Sequence, residues 1–224
     1  MKSPSGLFSF LFLIFFGCLP ATAADGFTEL FNGKDLTGWD GNPELWSVEE
    51  GVITGRTKSP EDLAYNQFLI WRGGVLKNFE LRAKIKVTGN NTGIQYRSKE
   101  LPENGRWSIG GYQCDVHPAA PNNAMMYEER GRGIIAQNGQ GVVVDPSGVK
   151  WLASEQDPVQ ADVAEWHEYT VIAKGNHLVH KLDGKVTVDP TEALRAIREV
   201  EKISDEDYLS LIQPYADGRF KSDA

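Results

Sequence analysis

The sequence predicts an all-β sandwich, two antiparallel sheets packed face to face, and three observations carry that prediction. From Phe27 to Val188 the chain runs as short segments punctuated by Gly, Asn, Asp and Pro, the pattern of a sandwich or barrel rather than of βαβ units. Phe79, Leu81, Ala83, Ile85 and Val87 fall on one side of an extended chain while Glu80, Arg82, Lys84 and Lys86 fall on the other, as in a sheet with one wet face. Late in the chain, His177 to Leu182 and Lys185 to Val188 flank Asp183-Gly184, a two-residue turn that accepts positive φ at both positions.

Taken in order, the first element is not part of the fold. Met1-Lys2 supplies a positive end, Leu7 to Leu19 is almost unbroken apolar sequence, and Ala21-Thr22-Ala23 is a small-x-small cleavage signal, so residues 1–24 are expected to be a secretory signal peptide. At about 13 residues the apolar run is shorter than the roughly 20 a membrane span needs. A lipoprotein signal through Cys18 is the weaker alternative. Export to the periplasm or beyond the cell is the expected localisation, with no membrane association once the signal is removed.

Next, Trp46 to Val48 and Val52 to Thr54 form a hairpin around Glu49-Glu50-Gly51, followed by the strand at Phe79. Trp166 to Ala173 then leads through Lys174-Gly175-Asn176 into the Asp183-Gly184 hairpin. Beyond Val188, Asp189-Pro190-Thr191-Glu192 carries the signs of a helix start, and Leu194, Ile197 and Val200 recur at helical spacing, predicting a short helix over about Thr191 to Lys202 and a frayed end. The domain division is thus signal 1–24, sandwich 25–190 and C-terminal segment 191–224.

Composition excludes several function classes. The formal charge of −8 becomes −9 without Lys2, and no basic cluster of the kind that neutralises phosphates occurs, which argues against nucleic acid as a partner. With Cys18 lost with the signal, Cys114 stands alone and no internal disulfide forms. No nucleophile-elbow, P-loop or dinucleotide fingerprint is present.

The order of several motifs is more specific. Phe31-Asn32-Gly33-Lys34-Asp35-Leu36-Thr37-Gly38-Trp39, then Trp46 to Ile53, Phe79-Glu80-Leu81-Arg82, Asn91-Thr92-Gly93-Ile94-Gln95-Tyr96-Arg97, Gly111-Tyr112-Gln113-Cys114-Asp115, Tyr127 to Gly133, Trp166-His167-Glu168-Tyr169 and His180 to Gly184 occur in sequence. Over residues 26 to 188 this resembles the bacterial 3-keto-disaccharide hydrolase domain family. The resemblance implies a concanavalin-like jelly roll with a sugar-binding concave face, an oligosaccharide or glycoside as partner, and cleavage of a glycosidic bond, in 3-keto-glycosides by C2 proton abstraction and elimination followed by water addition. His167 and Asp183 stand where that family more often has asparagine. Its last strand, a Gly-x-Ile-x-Leu-Gln-x-His run, has no counterpart here, where the chain reads Tyr208 to Pro214, so the C-terminus is atypical.

Ordinary glycoside hydrolysis needs two carboxyl groups across the scissile bond. A 3-keto group acidifies the hydrogen on C2, so one base, an oxyanion-stabilising group and orienting hydrogen bonds suffice. Asp115 is the first candidate base, alternating with Gln113 so that both point to one face; a solvated strand carboxylate is the bland alternative. Glu128 and Glu129 are the other acid/base candidates, and Glu129 shares a face with Tyr127 if the strand continues; a loop salt bridge to Arg130 or Arg132 is the competing reading. Arg132 between Gly131 and Gly133 suits an oxyanion or a hydroxyl pair. Gln95 and Arg97 alternate on a polar face, and Trp107 and Tyr112 are candidates for stacking on sugar, although core burial is the commoner fate of such rings. No cofactor is demanded by any motif; a divalent metal on Asp115 and His117 is a weak alternative, since no His spacing forms a zinc cage. An enzyme would gather Asp115, Arg132 and a Glu in one concavity. A non-catalytic lectin-like module, or a truncated inactive copy, would not.

Overall fold

A computed structural model describes residues 26–57, 63–144 and 148–189. The expected signal peptide and C-terminal helix lie outside the described residues. Alternation dictates fourteen strands among those described. They are β1 (Trp39–Asp40), β2 (Trp46–Glu49), β3 (Val52–Gly55), β4 (Ile70–Trp71), β5 (Phe79–Ile85), β6 (Thr92–Glu100), β7 (Ile109–Val116), β8 (Met126–Glu129), β9 (Gly133–Ala136), β10 (Gln140–Val144), β11 (Lys150–Glu155), β12 (His167–Lys174), β13 (His177–Leu182) and β14 (Lys185–Val188). No helix among the described residues is long and apolar enough to cross a membrane.

Two four-stranded antiparallel sheets, ordered β14-β13-β12-β5 and β6-β7-β8-β9, form the sandwich, and the hairpins β2-β3 and β10-β11 and the short pair β1-β4 flank them. The predicted all-β, two-sheet architecture is therefore present. Strand β5 alternates between half-buried and exposed residues throughout, as its sequence requires. Asp183 and Gly184 take φ of 48° and 76°, the conformation the β13-β14 turn needs, and Glu50-Gly51 turns β2 into β3 in the same way, so Glu49 belongs to the strand rather than to the turn.

Inward side chains of both sheets make one core. Tyr96, Cys114, Val116, Met126 and Ala136 from one sheet meet Tyr169, Val171, Ala173, Leu178, Leu182 and Val188 from the other. Cys114 is a free cysteine buried in this core. The core also holds a polar link between the sheets. His180 is wholly buried, and burial pulls its pKa down to about 4, so the ring is neutral at pH 7. Its Nδ1 lies 3.3 Å from the Ala124 carbonyl, which needs a proton there, so Nε2 accepts from the Tyr96 hydroxyl at 2.8 Å. Thr187 donates to the same carbonyl at 2.9 Å and Tyr169 donates to Asn123 Oδ1 at 2.9 Å. Each of these groups was desolvated on folding, and the mutual hydrogen bonds offset that cost.

Candidate functional site

Strand pairing decides which residues share the face of the β6-β9 sheet turned away from the core. Gln95 stands opposite Gln113, and Gln113 opposite Tyr127; Gly93 faces Asp115 across β6-β7, and Gly111 faces Glu129 across β7-β8. Because Tyr96, Cys114 and Met126 point inward, their strand neighbours Gln95, Gln113, Asp115 and Tyr127 point outward. Glu129 follows Tyr127 on the same side. Asp115, Gln113, Gln95, Tyr127 and Glu129 thus form one polar surface, and Gly93 and Gly111 lower its relief beside the carboxylates.

Asp115 is the most perturbed of the site's carboxylates. It is 3% exposed, its Oδ1 accepts from the Gln113 amide, and no Lys or Arg bridges it among the described residues. Burial pushes its pKa from 3.8 up to about 6; the Gln113 hydrogen bond and the charge of His117 oppose that shift, and the charge of Glu129 adds to it. Gly93 is needed for this arrangement, since a Cβ there would come within 2.8 Å of Gln113 Cγ and 2.9 Å of the Cys114 carbonyl. Gln95 donates to the Gly111 carbonyl at 3.1 Å, and its buried Oε1 finds no donor among the described residues. One residue past β7, His117 Nδ1 accepts the Ala119 N–H at 2.9 Å, so a neutral ring carries its proton on Nε2 and has a donor to offer.

Glu129 is nearly buried and receives the Asn66 amide at 3.3 Å, with Arg130 Nε at 3.7 Å. Around it opens a cavity of about 480 Å³. Leu63, Ala64, Tyr65 and Asn66 wall it on one side, Tyr127 and Glu129 floor it, and Arg130, Gly131 and Gly133 close the turn. Arg130 sits there with φ of 57°, a left-handed conformation uncommon for a side chain with a Cβ.

Other expected residues are placed elsewhere. Glu128 lies on the opposite face, paired with Arg132, whose guanidinium Nε and backbone N–H both donate to its carboxylate. That pairing holds Glu128 below the ordinary carboxylate range. Arg132 also donates to the Tyr112 hydroxyl at 3.2 Å, and Tyr112 stacks on Tyr96 at 5.7 Å between centroids. Glu128, Tyr112 and Arg132 form one hydrogen-bonded cluster, and the expected meeting of Arg132 with Asp115 does not occur; Arg130 stands beside Glu129 instead. Arg97 is a correction as well. A bulge between Tyr96 and Lys99, with φ of 47° at Arg97, breaks the alternation and sends its guanidinium to the Gly175 and Lys77 carbonyls at 2.5 and 2.9 Å, tying strand ends together. Trp107 donates to Asp40 at 2.7 Å and lies under Arg106, away from the cavity lining. Among the described residues no group of three or more His, Cys, Asp or Glu gathers as a metal centre would.

The sequence matches the profile of the 3-keto-alpha-glucoside-1,2-lyase-like domain over residues 26–221. The chain belongs to that family. Membership thus extends through the whole described sandwich and past Val188, where the resemblance read from individual motifs ends. A 3-keto-disaccharide hydrolase of Bacteroides thetaiotaomicron is 33% identical over 90 residues, covering 35% of this chain and 29% of that protein. The chain accordingly spans less than a third of that relative. A solved structure from Parabacteroides distasonis, provisionally described as a glycosyl hydrolase, aligns with a TM-score of 0.43 and 22% identity over 71% of this chain and 70% of the other.

Three residues at the site escape sequence reading. Tyr65 and Asn66 belong to a segment with no motif, brought over the sheet from more than 40 positions away, where Tyr65 donates to the Arg106 carbonyl at 3.3 Å. Arg130 reads from the sequence only as a salt-bridge partner. Its position after Tyr127-Glu128-Glu129 is the available signal.

Proposed function

We propose that this protein cleaves the glycosidic bond of 3-keto-glycosides by elimination and rehydration, with Asp115 as the base, after export directed by residues 1–24. The observation that carries the reading is the isolation of Asp115. It is a buried carboxylate with a pKa near 6 and no basic ion-pair partner among the described residues, so it is ionised at neutral pH yet basic enough to take a proton from carbon activated by an adjacent carbonyl.

In the first step Asp115 removes the hydrogen on C2, and the electron pair is held as an enolate on the C3 oxygen. His117, with its Nε2 proton, is the donor assigned to that oxygen. The enolate then re-forms the ketone as a C1–C2 double bond appears and the C1–O bond breaks, the aglycone oxygen leaving with the proton that Asp115 took from C2. Water adds back, its hydroxyl to C1 and its hydrogen to C2, so the net reaction is hydrolysis. Gln113 holds the Asp115 carboxylate, and its amide and that of Gln95 order the site around the keto ring.

The paired-carboxylate route fits less well. Glu128 is turned away and paired with Arg132, and Glu129, whose charge reaches Asp115, is set four residues along the strand from the Asp115 row with Gln113 and Tyr127 between. The test is aglycone release from a 3-keto-glucoside by wild type, Asp115→Asn and His117→Gln. Loss in the first and a marked fall in kcat in the second are expected; full activity of Asp115→Asn would sink the proposal.

A further inference from the structure

Asp115 and His117 stand at the end of β7, and the turn that follows them folds back to hold that end. Residues Ala120–Asn122 form a short 3-10 turn, after which the Asn123 N–H donates to the Ala119 and Ala120 carbonyls, both at 3.1 Å. The Ala124 N–H then donates to the Asp115 carbonyl at 2.7 Å, and the Asp115 N–H donates to the Met125 carbonyl at 3.3 Å. Both backbone groups of the base are thereby held by the returning chain. Asn123 reaches His117 with its side chain, where Oδ1 accepts the His117 N–H at 3.4 Å. The ring Nδ1 of His117 takes the Ala119 N–H at 2.9 Å, inside the loop that this contact closes.

The opposite sheet anchors this turn. Tyr169 of β12 donates to Asn123 Oδ1 at 2.9 Å, while His180 of β13 and Thr187 of β14 donate to the Ala124 carbonyl at 3.3 and 2.9 Å. Three strands thus reach through the core to two consecutive residues. Ala124 is wholly buried with φ of 57°, a left-handed conformation uncommon for a residue with a Cβ, and it persists only where the surroundings over-determine it. Asn123 is 1% exposed, and its Nδ2 finds no acceptor among the described residues. A buried amide N–H without an acceptor is costly, so what this side chain contributes lies in Oδ1, the one atom that joins Tyr169 to His117.

We infer that Asn123 is a positioning residue for Asp115 and His117: its Oδ1, and the turn it forms with Ala124, tie the end of β7 to Tyr169, His180 and Thr187 of the opposite sheet. Buried as it is, Asn123 acts through those two residues and not on the substrate. Misplacement of a reacting group by about 1 Å costs on the order of 100-fold in rate, so slack in this turn reaches the chemistry even though the sandwich stays folded. The inference rests on the elimination reading for the roles of Asp115 and His117; the anchoring itself does not depend on it.

The experiment pairs turnover of a 3-keto-glucoside with the ring ¹⁵N shifts of His117 at pH 8, where a neutral ring held by the Ala119 N–H carries its proton on Nε2. Asn123→Ala and Tyr169→Phe should each lower kcat by about 10-fold or more, with KM within about threefold, and shift His117 toward a mixture of tautomers. Tyr96→Phe is the control, since it removes a buried hydroxyl from the same core and leaves the Thr187 bond to Ala124 in place; kcat should stay within about threefold and the tautomer unchanged. An equal fall of kcat in Tyr96→Phe, a loss confined to KM, or unchanged kcat and ring shifts in the first two variants overturns the inference. If Asn123→Ala does not fold, Tyr169→Phe decides. If the wild type does not turn over the keto compound, the elimination reading has failed on its own account, and the ring shifts alone judge the anchoring: a wild-type Nε2–H tautomer that Tyr169→Phe mixes supports it, and one that Tyr169→Phe leaves unchanged overturns it.

Discussion

Replacing Asp115 by Asn should make the protein inactive and, at neutral and alkaline pH, more stable. The folded-state pKa of Asp115 is raised from 3.8 to about 6, so the native protein binds this proton more tightly than the unfolded chain does. As pH rises through the interval between those values, the unfolded chain ionises while the folded protein keeps the carboxyl protonated, so folding loses stability progressively, and the rise from 3.8 to about 6 corresponds to roughly 3 kcal/mol once both states are ionised. Asn carries no charge and its oxygen still accepts the Gln113 amide, so it escapes the penalty. The variant should match the wild type near pH 4 and exceed it by up to about 3 kcal/mol at pH 8, or roughly 6–12 °C in Tm for a domain of this size. Urea unfolding at pH 4, 6 and 8, read with unchanged slope, measures the difference. A variant less stable than the wild type at pH 8, or a difference that does not vary with pH, would refute the burial argument.

Three further perturbations probe the surroundings. Glu128→Gln, which only loosens the pair with Arg132, should leave kcat/KM within about threefold, because a partly exposed ion pair contributes little; a loss as deep as that of Asp115→Asn would return Glu128 to the chemistry. Gly93→Ala drives a methyl against Gln113 and the Cys114 carbonyl, and should destabilise by about 1–3 kcal/mol while lowering activity through the displaced Gln113; wild-type melting and turnover would contradict that packing. Tyr96→Phe leaves His180 Nε2 buried without its donor and should cost about 1–3 kcal/mol in urea unfolding, whereas no measurable cost would show that the link between the sheets is dispensable.

The sheets are legible in the sequence because alternation is a local property. Phe79 to Ile85, the Asp183-Gly184 turn and the shared face of Asp115 with Gln113 all follow from residue parity, as does the separation of Glu128 from Glu129. Parity fails where the backbone departs from it. The bulge at Arg97 carries no glycine to announce it, so parity places that guanidinium on the polar face with Gln95 when it is bound to the Gly175 and Lys77 carbonyls. Arg132 is a separate case: flanking glycines signal an exposed turn but not which neighbouring carboxylate the arginine will meet, and its pairing with Glu128 is the salt bridge that the sequence left open. Nor does any local pattern reveal that Tyr65 and Asn66 cross over β8 to face Glu129, because that contact depends on a segment 63 positions away. His180 carries no sequence sign of its burial, because the Tyr96 hydroxyl that makes that burial tolerable comes from the partner sheet.

The most direct test of the elimination chemistry is aglycone release by the purified protein from a 3-keto-glucoside and from its unoxidised parent, followed across pH. Release from the keto compound alone, with kcat/KM rising through about pH 6 as Asp115 loses its proton, is the predicted result. Equal release from the unoxidised parent, or release from neither compound while glycan is still bound, would contradict it.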